Sequence, residues 1–185
     1  FFWMAFGQNV GTMSFWVRDC VDRKGIPPET FQAINSIGVL LFTTPILWLS
    51  SYFQLKTSTK IILGMLFTAL SYFVLTLVSK GMHVNMAWPI VSYLIITIGE
   101  LLVSPMGLSM VNKLAPYKYV GLCMGTWYLF IAAGGKLAGK LGLLWSRTTH
   151  PQFFTILVLT SLLAAFLMYC GRNKLEKSIS LSIKE

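Results

Sequence analysis

Six acidic residues occur in the chain of 185, and five of them, Asp19, Asp22, Glu29, Glu176 and Glu185, fall in polar stretches. The sixth, Glu100, lies inside a long apolar run. A carboxylate in hydrocarbon is costly, so such a group faces a cavity or a partner and is a functional residue by default. At about 100° per residue, Tyr93, Thr97, Glu100, Ser104 and Gly107 share one helix face, while Leu94, Ile95, Leu101 and Leu102 cover the rest. Pro105 cannot donate to the carbonyl of Leu101, which predicts a hinge within one turn of the carboxylate. The plainer alternative for Glu100 is a structural acid bonded to a neighbouring helix.

Other polar groups in apolar runs are fewer. Gln32, Asn35 and Gly38 share a face, and a buried amide needs partners, from substrate or from another helix alike. Trp127 lies deeper in its run than the interfacial belt that tryptophans prefer, so it either lines a cavity or packs. Gly121 with Gly125, and Gly135 with Gly139, form small-residue ridges expected to pack helices closely, while Lys136 and Lys140 have stems long enough to snorkel. His83 and His150 stand alone in loops, and Cys20, Cys123 and Cys170 lack metal or disulfide spacing, so neither a metal nor another cofactor is expected. Phosphate-binding glycine loops and nucleophile motifs are absent, which argues against an enzyme and against ATP as the energy source.

The elements that must position these groups are membrane spans. Hydrophobic residues make up 55% of the chain and charged ones 11%, against roughly a quarter charged in soluble domains. Apolar runs at about 1–17, 31–53, 60–79, 87–112, 119–145 and 152–171 are each long enough to cross about 30 Å of hydrocarbon. They predict an all-α, polytopic bundle of six transmembrane helices in a lipid bilayer, with residues 172–185 as a solvated basic tail. The net charge of +9 lies mostly between and beyond the runs, as membrane-edge charge does, so nucleic acid is not an expected partner. Those charges divide almost evenly between the two sides and do not orient the bundle. Phe1-Phe2-Trp3 offers no basic leader, and the sequence reads as the interior of a longer protein.

The run Gly99-Glu100-Leu101-Leu102-Val103-Ser104-Pro105-Met106-Gly107-Leu108-Ser109, followed by Lys113-Leu114-Ala115-Pro116, closely resembles the tenth helix of the proton-dependent oligopeptide transporters, a family of the major facilitator superfamily. Phe2-Trp3 with Phe6, Gln8, Gly11 and Thr12 resembles that family's seventh helix. Pro27 with Phe31-Gln32, Asn35 and Pro45 resembles its eighth, and Gly121 with Met124-Gly125 and Trp127 its eleventh. The likeness covers residues 1 to about 140 and implies the C-terminal six-helix half of a carrier.

The resemblance implies that Glu100 receives the amino terminus of a di- or tripeptide and takes part in proton coupling. It further implies that Asn35, Ser104, Trp127 and Gln8 line or gate the same cavity. The implied partners are peptide, protons and the N-terminal six-helix half of the same carrier, in a cell membrane with the tail cytoplasmic. Two positions depart from the family pattern: Gly7 stands where an acid often precedes the glutamine, and Ser36 where a proline often follows the asparagine. The alternatives are a related carrier for another small solute such as nitrate, or a truncated bundle that does not transport.

Overall fold

A computed structural model describes residues 1–81 and 83–182. Seven helices run α1 (Phe2–Phe6), α2 (Thr12–Cys20), α3 (Pro28–Tyr52), α4 (Thr57–Val78), α5 (Ala87–Leu114), α6 (Val120–Gly142) and α7 (His150–Ser182). Among the described residues, five helical stretches are long and apolar enough to cross a membrane, those within 28–52, 57–78, 87–114, 117–147 and 150–177. Backbone groups in hydrocarbon have no water to bond, so helices that satisfy their own N–H and C=O groups are the form such runs must take.

The stretch expected as a first continuous span, 1–17, is broken. A 3-10 turn over Gly7–Asn9 separates α1 from α2. An irregular backbone at that depth needs outside partners, and two tyrosines supply them. The hydroxyl of Tyr72 on α4 donates to the carbonyl of Ala5 at 2.6 Å, and that of Tyr93 on α5 donates to Asn9 at 3.2 Å. The break falls on Gly7, Gln8 and Asn9, a polar interruption of the stretch that a reading by run length passes over.

α4 is the central strut, packed on α5 and α7. A Cβ on Gly64 would lie 2.7 Å from the carbonyl oxygen of Gly99, and one on Gly99 equally close to that of Gly64. Two turns further along, Ser71 and Ser92 bond through their hydroxyls at 2.7 Å. Trp16, Tyr72, Leu75, Tyr93, Ile96, Phe153 and Phe154 close the core beside this seam.

The ridges on α6 are not where they were expected. A Cβ at Gly121, Gly125, Gly135 or Gly139 would meet nothing within 4 Å. The packed pair is Gly134 and Ala138, one residue earlier in register: a Cβ on Gly134 would come 2.7 Å from Cβ of Trp3. Lys136 and Lys140 are exposed.

At the far end, α7 continues past residue 171 as helix to Ser182. Glu176 accepts from Lys56 Nζ at 2.9 Å and from the hydroxyl of Ser58, which ties the extension to the start of α4. On the opposite side, Val21–Asp22 and Val84–Asn85 pair as a two-residue parallel ribbon between loops.

Candidate substrate-binding site

Glu100 and Asn35 meet. α3 and α5 approach closely because Gly38 lies against Thr97, where a Cβ would come 3.2 Å from Cγ2 and Oγ1. One turn before Gly38, Asn35 reaches α5: its Nδ2 donates to Glu100 Oε2 at 3.1 Å and to Thr97 Oγ1 at 2.9 Å. Thr97 in turn donates to the carbonyl of Tyr93 at 2.7 Å. Glu100 and Asn35 are half-buried, and Thr97 is fully buried. The packing that holds Glu100 in place comes from behind, where Gly99 abuts Gly64 and a Cβ on Gly99 would lie 2.8 Å from Thr68 Oγ1.

Ser104 stands one turn beyond Glu100 and is half-buried. α5 runs through Pro105 as one helix to Leu114. At Gly107 it meets Trp127, whose indole lies where a side chain would stand, 2.3 Å from a Cβ built there. Gly107 and Trp127 border an apolar cavity of about 340 Å³, with Phe2, Trp3, Val103 and Met168 among its other walls. The polar pair and the apolar cavity therefore lie along one helix, before and after the proline.

Gln8 is engaged elsewhere. Its Nε2 donates to the carbonyl of Ala138 on α6 at 2.7 Å, and its Oε1 accepts from Thr12 at 2.9 Å. These bonds fasten the broken first helix to α6. Gly7 belongs to the same contact, since a Cβ there would come 2.8 Å from Cβ of Ala138. An acid at position 7 would require α1 and α6 to separate.

Two contacts were not expected. Thr97 was part of the polar stripe, but its bond to Asn35 links residues 62 apart in sequence, and no local spacing signals it. His150, alone in its loop, lies 3.4 Å from Cys20 Sγ through Nδ1 and stacks on Trp145. No group of three metal-ligating side chains occurs among the described residues.

Five long apolar helices, a broken first one and an acid–amide pair bonded between two of them define a polytopic helical membrane protein. The sequence profile of the POT family matches residues 1–156, and the chain belongs to that family, whose members are transporters and not enzymes. It is 32% identical over 157 residues to the peptide transporter YePEPT of Yersinia enterocolitica, covering 77% of this chain and 31% of that one. It is 37% identical over 124 residues to the dipeptide and tripeptide permease A of Chromobacterium violaceum, covering 62% and 25%. A POT family transporter solved in complex with 5-aminolevulinic acid superposes with a TM-score of 0.86 at 25% identity, over 94% of this chain and 39% of that one. A peptide transporter solved with sulfate shares the fold, with a TM-score of 0.87 at 24% identity over 96% and 38%. The chain thus matches between a quarter and a third of the length of these relatives.

Proposed function

We propose that this chain forms the C-terminal six-helix half of a proton-coupled symporter for di- and tripeptides, with Glu100 receiving the peptide amino terminus and exchanging the coupled proton. The observation that carries the reading is the Asn35–Glu100 bond: Asn35 spends its amide hydrogens on α5. What remains for a ligand is oxygen, from a carboxylate and an amide carbonyl. Two acceptors beside each other suit an ammonium group, and an uncompensated carboxylate repels an anion such as nitrate. The names of the relatives, peptide transporter and dipeptide and tripeptide permease, support the same substrate class.

The cationic groups that would hold the peptide carboxylate belong to the other half of the carrier. The outward faces of α3 and α6, with Leu40, Leu41, Leu122 and Phe130 exposed, suit burial against that half and against lipid. Ser104 and Trp127 line the route past Pro105, which serves as the hinge. Gln8 acts on the cavity through the α1–α6 clamp. The carrier resides in the cell membrane with the helical tail on the cytoplasmic side.

The test is uptake of a labelled dipeptide into liposomes holding the full-length carrier, driven by an inward proton gradient. Competition by unlabelled dipeptides, and none by nitrate, is the expected result. Competition by nitrate alone would overturn the substrate class.

A further inference from the structure

The hydroxyl of Thr97 has one hydrogen, and the carbonyl of Tyr93, which can only accept, takes it at 2.7 Å. Towards Asn35, therefore, Thr97 Oγ1 can only accept, and the amide must turn its NH2 to it. Glu100 makes the same demand while it is ionised. The two demands separate when Glu100 takes a proton. A protonated carboxyl can donate, and it would then donate to the amide carbonyl of Asn35 as readily as it would accept from the NH2. Thr97 makes no such change, because a threonine hydroxyl does not titrate and its hydrogen is already committed.

We infer that Thr97 is a positioning residue that holds the Asn35 amide with its carbonyl toward the ligand in both protonation states of Glu100. This inference rests on the peptide reading above. Its consequence is that the binding face keeps one acceptor in place through the step in which the carboxylate loses its charge. Gly38 is the second part of the device, since a Cβ there would come 3.2 Å from Thr97 and push against it.

Groups that could imitate this pH dependence are engaged or turned away. On α5, Tyr93 donates to Asn9, and on α4, Tyr72 donates to Ala5. α3 carries Gln32, Asn35 and Ser36 near this level, none of which titrates, and Glu29, nearly two turns earlier, is exposed. Lys136 and Lys140 of α6 are exposed, and His150 of α7 pairs with Cys20. Among the described residues, Asn35 is the only side chain that bonds Glu100.

The experiment is dipeptide counterflow in liposomes holding the full-length carrier, with no proton gradient, comparing wild type, Thr97→Val and Thr97→Ser from about pH 8 to about pH 5. Valine keeps the shape of threonine and removes the acceptor, whereas serine keeps the oxygen. The expected result is a KM for Thr97→Val near the wild-type value at the alkaline end, rising to roughly tenfold above it at the acid end as the amide is released. Thr97→Ser should follow wild type throughout. Should valine overpack against Gly38 and yield no folded carrier, Thr97→Ala is measured in its place and should show the same divergence. A ratio of mutant to wild-type KM that is flat with pH, or a serine variant that behaves as valine does, would overturn the role of Thr97 while leaving the peptide reading intact. No saturable dipeptide counterflow by the wild-type carrier would overturn the peptide reading, and this inference with it.

Discussion

Gly64 and Gly99 stand against each other's backbone, so that a Cβ on either would lie 2.7 Å from the other's carbonyl oxygen. This contact presses α5 onto α4 at the residue immediately before Glu100, and it makes the carboxylate's position a property of the helix packing. Neither carbonyl can swing aside, because each belongs to a regular helix.

Gly99→Ala should therefore destabilise the protein by about 1–3 kcal/mol, the usual range for overpacking a tight contact. Thermal unfolding in detergent is the measurement. An unchanged melting temperature would mean that α4 and α5 separate freely at this point.

The contact of Gly7 with Ala138 predicts a coupled pair. Gly7→Ala alone should lower stability by about 1–3 kcal/mol, and Ala138→Gly in the same chain should recover a large part of that loss. A double-mutant cycle checks it, with additive effects as the contrary outcome.

Trp127 rests over Gly107, just past Pro105. Gly107→Ala must displace the indole, since the added carbon would fall 2.3 Å from its ring. The difference in fluorescence between the carrier and its Trp127→Phe variant isolates this tryptophan from all others. That difference spectrum should shift on Gly107→Ala, and peptide uptake should fall with it.

The extension of α7 is held by Glu176 through Lys56 and Ser58. Glu176→Ala removes both bonds. Hydrogen exchange at residues 172–177 should accelerate, while exchange in the core around Tyr72 and Phe154 stays as it was. Exposed ion pairs contribute little to global stability, so the effect should remain local.

Several of these relations were readable in the sequence and several were not, for physical reasons. The apolar runs are long and separated by charges, so the existence of long apolar helices follows from transfer energetics alone. Glu100 was legible because one acid in hydrocarbon is an anomaly of cost. Its bond to Asn35 was not, since residues 65 apart meet only once α3 and α5 pack. The break at Gly7–Asn9 was passed over because a span read by its length averages out three residues, although Gly7, Gln8 and Asn9 are the polar interruption that marks it. The ridge on α6 differed by one residue in register: glycine spacing shows that a close approach is possible, but the partner, here Trp3 and Gly7, decides which pair is used. The helical tail was read as solvated from its charge, and charge says nothing of whether a preceding helix continues through it.

In the proposed function, Glu100 couples a proton to peptide movement. The most direct measurement compares wild type and Glu100→Gln in the full-length carrier, scoring dipeptide uptake driven by a proton gradient. Loss of concentrative uptake on a substitution that keeps the shape and removes the titratable group is the predicted result. Concentrative uptake at the wild-type level in Glu100→Gln would contradict it.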